Sequence, residues 1–297
     1  MCFAVQTLSG HRNIIRPDEG SFAQVIAVKA EAQFRIPDTL SEAEAAAQGV
    51  AIATMVRTLP DDDKDSADLW ATQAQALYRG LGLALPGTGG ETPFPMFIYG
   101  GSTAMGMAAI QFAKLSGATV IATASPANKA FLEHLGADHV VDYNSPGLVD
   151  EVRSFVDQPI HFAFDAYADE KSARIAAELL SRDGKARYVC LIPGTEEEVK
   201  ARNPTVDASS ILAYSVLGTP YWFEKKYFEG KPADFELQKS FVLVAEKLLE
   251  EGKLKAPHVF LNRGGAGLEG LLHGLEETRA KNVRGGKLVY TAVDGAE

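Results

Sequence analysis

The sequence predicts an α/β protein, with a doubly wound parallel sheet and a second, smaller domain that is rich in β-strands. Short apolar runs alternate with helical patterns from residue 96 to residue 192, as in parallel strands joined by helices. A glycine-rich turn directly follows the first of these runs. The segments on either side have a different pattern, and we expect both chain ends to build the second domain.

Residues 96–128 contain the first strand, the glycine turn and the first helix. Met96–Tyr99 is an apolar run of strand length, and Gly100–Gly106 follow it at once. The next apolar positions have helical spacing and end at Gly117, and Val120–Ala124 form the second strand. This order places free backbone N–H groups and a helix N-terminus where the pyrophosphate of a dinucleotide can bind.

The glycine spacing departs from the full dinucleotide fingerprint, G-x-G-x-x-G. Gly101 and Gly106 match its first and third glycines, but Thr103 stands in place of the second. A threonine obstructs close approach of the backbone to the phosphates and offers a hydroxyl instead. Because a tight βα turn without a ligand uses similar glycines, that alternative stays open on the motif alone.

The end of the second strand indicates which dinucleotide would bind. An NAD site usually has Asp or Glu about 20 residues after the glycines, where it binds the ribose 2′-hydroxyl. Here that position holds Ser125, and Asn128 and Lys129 follow it. Since no carboxylate is present to repel a 2′-phosphate, the sequence favours NADPH over NADH. Alternatively, Ser125 only caps a helix that begins at Pro126.

The strand and helix pattern continues to residue 192 and completes the sheet. Strands are predicted at 139–143, 160–164 and 186–192, and helices at 148–155 and 171–180. Ligands bind at the carboxyl ends of parallel strands. The residues that follow each strand are therefore expected to face the ligand: Gly101–Gly106, Ser125–Asn128, Tyr143, Asp165–Tyr167 and Leu191–Pro193.

The two flanks predict the second domain. Ser41 and Glu44 have the spacing of a capping box ahead of an alanine-rich helix over 41–54. We expect an exposed acidic loop at 58–68 and a flexible connection at 87–90. The other predicted elements of the flanks are strands at 21–28, 259–261 and 287–291 and helices at 235–251 and 268–278.

Composition argues against several classes of protein. The chain has 297 residues and a net charge of −10, which argues against nucleic-acid binding. Cys2 and Cys190 form neither a disulfide framework nor a metal motif, and the six histidines have no metal-ligand spacing. No apolar run reaches the roughly 18 residues of a membrane span, and residues 1–20 lack a signal-peptide core. We therefore expect a cytoplasmic monomer or homodimer without a metal.

Two stretches resemble a known family: IYGGSTAMGMAAIQFAKLSGATVIATASPAN and LGADHVVDYNSP. They resemble the Rossmann domain of medium-chain dehydrogenases/reductases, and more narrowly the zinc-free fungal branch that includes trans-acting enoyl reductases of polyketide synthases. RPDEGSFAQVIAV and IPDTLSEAEAAAQGVAIAT resemble the family's catalytic domain, and VRGGKLVY its last strand. The resemblance implies a partly truncated, GroES-like catalytic domain at 1–90 with an insert near 55–72, a dinucleotide-binding domain at 91–215, and a return to the catalytic domain at 216–297.

The resemblance also implies the sites. NADPH would be bound by Ser102, Thr103, Ala104, Met105, Gly106, Ser125, Pro126, Ala127, Asn128, Tyr143, Leu191, Ile192, Val283 and Arg284. The acyl substrate would lie against Gly49, Val50, Ala51, Ile52, Ala53, Thr54, Ser215, Val216, Leu217, Gly218 and Thr219.

Several residue roles stay open on the sequence. Tyr143 is equally well explained as a half-buried aromatic at a strand end, and Leu191 and Ile192 as core residues. The sequence identifies no catalytic residue, and Tyr214 and Tyr221 are candidate proton donors only by their position.

The function implied by the resemblance is NADPH-dependent reduction of the C=C bond of an enoyl thioester, in secondary metabolism beside a polyketide synthase. The substrate would be a small molecule or an acyl group on a carrier protein. Two alternatives remain. One is a noncatalytic nucleotide-binding partner of a synthase, and the other is a reductase-derived protein with a redox-neutral task in the same pathway.

Overall fold

The computed structural model describes residues 3–4, 29–56, 81, 83, 86, 92–223 and 226–291. The chain divides into two compact units. One comprises residues 1–54 and 213–297, and the other residues 55–212. The predicted elements at 21–28, 58–68 and 87–90 lie outside the described residues, as does the predicted insert from residue 57 onwards.

The described part of the two units contains twelve strands and eight α-helices. The strands are β1 (Phe3–Ala4), β2 (Phe34–Arg35), β3 (Phe94–Tyr99), β4 (Ala118–Ala124), β5 (His139–Asp142), β6 (Phe162–Asp165), β7 (Arg187–Cys190), β8 (Asp207–Ser210), β9 (Tyr221–Phe223), β10 (Lys226–Phe228), β11 (His258–Leu261) and β12 (Gly286–Val289). The α-helices are α1 (Glu42–Val56), α2 (Ala104–Leu115), α3 (Lys129–His134), α4 (Leu148–Ser154), α5 (Glu170–Leu179), α6 (Thr195–Arg202), α7 (Pro232–Glu250) and α8 (Gly267–Arg279).

The unit of residues 55–212 is built on a parallel sheet of six strands in the order β5-β4-β3-β6-β7-β8. The chain starts in the middle at β3, adds β4 and β5 on one side, and then crosses to add β6, β7 and β8 on the other. This confirms the predicted doubly wound α/β fold. The direction of strand addition reverses at β3, and such a switch point is where open α/β sheets bind ligands.

The core of this unit lies on both faces of the sheet. Met96, Phe97 and Ile98 on β3 are each fully buried, as are Tyr188 and Val189 on β7. Strands covered by helices on both sides need such continuous apolar runs, because neither face meets water. The same runs made these strands recognisable in the sequence.

Two predicted strands end earlier than expected. The strand predicted over 186–192 ends at Cys190, because Leu191–Gly194 form a turn in which Gly194 has a φ of 102°. The strand predicted over 139–143 ends at Asp142, whose carboxylate accepts the backbone N–H of Asn144 at 2.9 Å and starts a turn.

The unit of residues 1–54 and 213–297 contains short strand pairs, α-helices α1, α7 and α8 and two short 3-10 helices in its described part. β9 and β10 form an antiparallel hairpin, and β11 and β12 pair in parallel. The capping box of α1 is confirmed, since Glu44 accepts the backbone N–H of Ser41 at 2.9 Å and the Ser41 hydroxyl accepts that of Glu44 at 3.3 Å. Helix α1 continues through Val56, two residues into the predicted insert near 55–72, and the rest of that insert lies outside the described residues, so it stays a prediction.

Candidate functional site

The glycine turn after β3 is closely packed. Gly100 has a φ of 79°, and its N–H is bound by the Thr123 hydroxyl at 3.0 Å. Gly101 donates to the Thr123 carbonyl at 2.8 Å, which ties the turn to the end of β4. A Cβ at Gly106 would lie 2.2 Å from the Gly100 carbonyl oxygen. The turn therefore folds back over the first turn of α2 as closely as backbone atoms allow, and position 106 requires glycine.

Thr103 is the N-cap of α2. Its hydroxyl oxygen accepts the backbone N–H of Gly106 at 2.9 Å, and its carbonyl accepts that of Met107 at 2.9 Å. The hydroxyl that replaces the middle glycine of the fingerprint is therefore already an acceptor within the turn. Its first role is to hold the helix start in place.

Three backbone N–H groups at this turn are left for a ligand. In the described part of the chain no acceptor binds the N–H of Ser102, Ala104 or Met105. The positive end of the α2 dipole is at the same place. A closely packed glycine turn with unbound N–H groups at a helix start and a sheet switch point fits a pyrophosphate.

The end of β4 brings the Ser125 hydroxyl and the Asn128 amide together. Asn128 Nδ2 donates to Ser125 Oγ at 3.1 Å across a short 3-10 turn of Pro126–Asn128. Ser125 is the N-cap residue of this turn, as the alternative expects, but its side chain makes no capping hydrogen bond to the backbone, so both interpretations of Ser125 stay open. Pro126 and Ala127 are exposed, and Ser125 and Asn128 are half-buried.

Tyr143 follows β5 and is half-buried against the core. The Lys171 ammonium donates to its carbonyl oxygen at 2.7 Å and lies 5.7 Å from its ring centroid. The ring packs partly against the core and retains exposed surface, so both interpretations of Tyr143 agree with the structure.

The turn after β7 exposes an apolar side chain. Leu191 is half-buried, whereas 51% of Ile192 is exposed, so core packing is wrong as an explanation of Ile192. The turn is held by Glu196 in the first turn of α6, which accepts the Gly194 N–H at 2.8 Å and the Ser210 hydroxyl at 2.7 Å.

Asp165 at the end of β6 is a buried carboxylate with several donors. Its Oδ1 accepts the N–H groups of Tyr167 at 3.0 Å and Ala168 at 2.7 Å, and its Oδ2 accepts the Tyr188 hydroxyl at 2.8 Å. Burial raises the pKa of Asp165, and these hydrogen bonds oppose that rise. The sequence placed Asp165 at the ligand edge but gave no sign of its bonds to Tyr188 or of the role of Glu196.

The other expected site residues lie in the unit of residues 1–54 and 213–297. Gly49 and Ala51–Thr54 are buried within α1, and Val50 is half-buried. Ser215 and Val216 are buried, and the Ser215 hydroxyl donates to Asp234 Oδ2 at 2.6 Å. Leu217, Gly218 and Thr219 are half-buried, as is Val283, and Arg284 is exposed in the segment before β12.

The two candidate proton donors lie close together in that unit. The rings of Tyr214 and Tyr221 are 5.6 Å apart. Burial raises the pKa of Tyr214. A raised pKa makes the hydroxyl a weaker acid, so the shift does not favour Tyr214 as a proton donor.

Comparison with known proteins identifies the family. Residues 104–227 match the family described as zinc-binding dehydrogenase. The trans-enoyl reductase resD of Aspergillus sclerotiorum is 33% identical over an alignment of 293 residues, and the alignment covers 94% of this chain and 75% of that protein. The chain belongs to the trans-enoyl reductases. The trans-enoyl reductase ACTTS2 of Alternaria alternata is 32% identical and aligns with 92% of this enoyl reductase and 71% of its own length.

Solved structures share the fold of this trans-enoyl reductase. A putative zinc-dependent alcohol dehydrogenase from Rhizobium etli CFN 42 superposes with a TM-score of 0.65 at 24% identity, over 95% of this chain and 72% of that one. The CurK enoyl reductase superposes with a TM-score of 0.61 at 21% identity, over 89% and 67%. The resemblance noted in the sequence is thereby confirmed.

Two features are absent from the described residues of this trans-enoyl reductase. Within them, no group of three or more His, Cys, Asp and Glu side chains is placed to hold a metal ion. In the same residues, no helix is both long and apolar enough to span a bilayer.

Proposed function

We propose that this trans-enoyl reductase transfers hydride from NADPH to the C=C bond of an enoyl thioester, a polyketide intermediate delivered by a separate synthase. The observation that carries the proposal is the set of three unbound backbone N–H groups at Ser102, Ala104 and Met105, at the switch point of the sheet. Membership of the enoyl reductases supports the reaction. The nicotinamide cofactor supplies the hydride.

The chain's own residues bind and orient the cofactor. The N–H groups of the glycine turn would hold the pyrophosphate, and the residues after β4 and β5 would hold the adenosine half. Ser125 and Asn128 stand where an NAD site has a carboxylate, and their hydroxyl and amide groups form one polar pair. A 2′-phosphate is an acceptor for such donors and meets no repelling charge, so we propose NADPH rather than NADH.

The reaction needs few acid or base groups from the protein. The enzyme must hold the nicotinamide against the reacting carbon, exclude water, and stabilise the enolate that forms when hydride arrives. We propose that the half-buried Val50 and Leu217–Thr219 contact the acyl chain, with the rest of 49–54 and 215–219 supporting them. Val283 and Arg284 remain proposed cofactor contacts on the resemblance alone.

A partner protein and a compartment belong to the same proposal. The relatives are named trans-enoyl reductases, and a reductase that acts in trans must receive its acyl group from another protein. The net charge of −10 gives no attraction to nucleic acid. We propose a cytoplasmic enzyme, since the two cysteines give no disulfide framework.

Titration of the protein with NADPH and NADH, followed by fluorescence, tests the cofactor. We expect NADPH to bind at least about tenfold more tightly, the factor that one lost charge-assisted hydrogen bond gives. Ser125→Asp should reverse this preference, and Ser125→Ala is the matched control that removes the hydroxyl without adding a charge. Equal affinities for both cofactors in the unmodified protein would overturn the choice of NADPH.

Activity is tested by NADPH consumption with a set of enoyl thioesters, together with mass analysis of the product. A mass gain of two hydrogens supports C=C reduction. Tight NADPH binding with no consumption on any thioester, free or carrier-bound, would instead support a noncatalytic role.

A further inference from the structure

Tyr167 is half exposed at the carboxyl edge of the sheet. In the described part of the unit of residues 55–212, the exposed large apolar side chains are Tyr167, with 50% of its surface exposed, and Ile192, with 51%. Both follow strands of the same side of the sheet, β6 and β7. Apolar side chains left exposed at a ligand-binding edge indicate a surface that a ligand covers.

The sheet order indicates which part of a dinucleotide would cover them. The glycine turn follows the central strand β3, and β4 and β5 lie on one side of it. The candidate adenosine residues follow these two strands. If the pyrophosphate lies over β3, the other half of the molecule extends over β6 and β7, because those strands lie on the opposite side of the switch point.

Tyr167 also lies against the glycine turn itself. A Cβ at Gly100 would be 3.2 Å from Tyr167 Cβ, so the two backbones nearly touch. The turn that carries Tyr167 includes Ala168, a non-glycine residue in the left-handed region with a φ of 58°. Such a conformation is unfavourable for alanine and persists only where other bonds impose it.

Asp165 supplies those bonds. It accepts the backbone N–H groups of Tyr167 and Ala168, and the Tyr188 hydroxyl at 2.8 Å holds the carboxylate in place from the core. The Thr195 hydroxyl donates to the Ala168 carbonyl at 3.3 Å, which links this turn to the start of α6. The turns that carry Tyr167 and Ile192 are therefore joined in one hydrogen-bonded network.

We propose that Tyr167 contacts the nicotinamide half of the bound dinucleotide and that Asp165 is the positioning residue that holds Tyr167 there. This inference rests on the proposed function, because it requires a dinucleotide at this edge. In this proposal the Tyr167 ring forms an apolar side of the cofactor site beside the glycine turn. The buried Asp165–Tyr188 pair orients the cofactor by holding Tyr167 in place.

The test compares two ligands, NADPH and adenosine 2′,5′-bisphosphate, which lacks the nicotinamide half. Tyr167→Ala and Asp165→Asn should each weaken NADPH by about tenfold and leave the bisphosphate dissociation constant unchanged. Tyr167→Phe should restore NADPH binding, since it keeps the ring. Tyr143→Ala is the control on the adenosine side and should weaken both ligands.

The outcomes separate this inference from the proposed function. Unchanged NADPH affinity in Tyr167→Ala, or equal weakening of both ligands, overturns the inference while the cofactor site stands. An unmodified protein that binds neither ligand overturns the proposed function and the inference with it. If Asp165→Asn does not fold by circular dichroism, Tyr188→Phe removes one donor from the same carboxylate and should show the same selective loss to a smaller degree.

Discussion

At the scale of single residues, the cofactor turn depends on a missing side chain. A Cβ at Gly106 would lie 2.2 Å from the Gly100 oxygen and 2.8 Å from Gly101 Cα, so even alanine must push the turn away from α2. We expect Gly106→Ala to lower NADPH affinity more than about tenfold and stability by about 1–3 kcal/mol, the usual cost of overpacking. Fluorescence titration and urea unfolding measure the two effects.

The matched control for Gly106 is Gly147, directly before α4. A Cβ there meets no atom within 4 Å, and its φ of −99° suits any residue. Gly147→Ala should change neither NADPH affinity nor stability. Normal NADPH binding by a folded Gly106→Ala protein would show that the phosphates bind elsewhere.

Thr103 carries the second prediction at this scale. Since its hydroxyl caps α2 through the Gly106 N–H, Thr103→Ala should lower the free energy of unfolding by about 1 kcal/mol. NADPH binding should fall only modestly, because the unbound N–H groups of Ser102, Ala104 and Met105 remain. Thr103→Ser keeps the hydroxyl and should restore stability. If the binding free energy of NADPH falls by more than the free energy of unfolding does, the hydroxyl contacts the phosphates directly.

At the scale of elements, the start of α1 has a pH-dependent cap. Hydrogen bonds from the Ser41 side chain and backbone hold the pKa of Glu44 below its usual value. A carboxylate with a lowered folded-state pKa stabilises the protein at neutral pH, and this contribution is lost as the pH falls through that pKa. Ser41→Ala should therefore lower the melting temperature at neutral pH, and the difference should shrink as the pH falls below the ordinary glutamate pKa of about 4.3 towards the lowered folded-state pKa. A difference that does not shrink in acid would mean that the Ser41 hydroxyl acts without the Glu44 charge.

Elements that bury an apolar run could be predicted from the sequence, and weakly apolar ones could not. Strand β3 and helix α2 were predicted because their apolar residues repeat at strand and helix spacing. Helix α6 (TEEEVKAR) and strand β8 (DASS) were missed, since each has too few apolar residues to show a period. The hairpin β9–β10 was missed because each of its strands has only three residues.

Some residues of the candidate site could likewise be proposed from the sequence, and others could not. Gly106 and Ser125 were proposed from the sequence, because a tight turn and a missing carboxylate are both visible in it. The roles of Tyr188 and Glu196 were not, since they depend on hydrogen bonds to Asp165 and to Gly194 and Ser210 across the fold. The two residues of such a bond are not separated by any characteristic number of residues, so the sequence does not distinguish them from other pairs.

At the scale of the whole molecule, cofactor binding and stability are linked. A ligand that binds only the folded chain stabilises it by about 2.7 kcal/mol at one hundred times its dissociation constant. If NADH binds tenfold more weakly, the same concentration gives only about 1.4 kcal/mol. NADPH should therefore raise the melting temperature by several degrees, and clearly more than NADH does. Differential scanning fluorimetry at equal cofactor concentrations measures both shifts.

The Gly106→Ala protein separates specific from nonspecific stabilisation. It should show a clearly smaller shift with NADPH than the unmodified protein does, because a loss of more than tenfold in affinity leaves at most about 1.4 kcal/mol of stabilisation at the same concentration. Adenosine 2′,5′-bisphosphate should shift the unmodified protein in the same direction as NADPH but by less, since only the adenosine half finds its contacts. Equal shifts of the melting temperature by NADPH and NADH would show that the 2′-phosphate makes no favourable contact at this site. An equal shift in Gly106→Ala would show that the cofactors act on the chain away from the glycine turn.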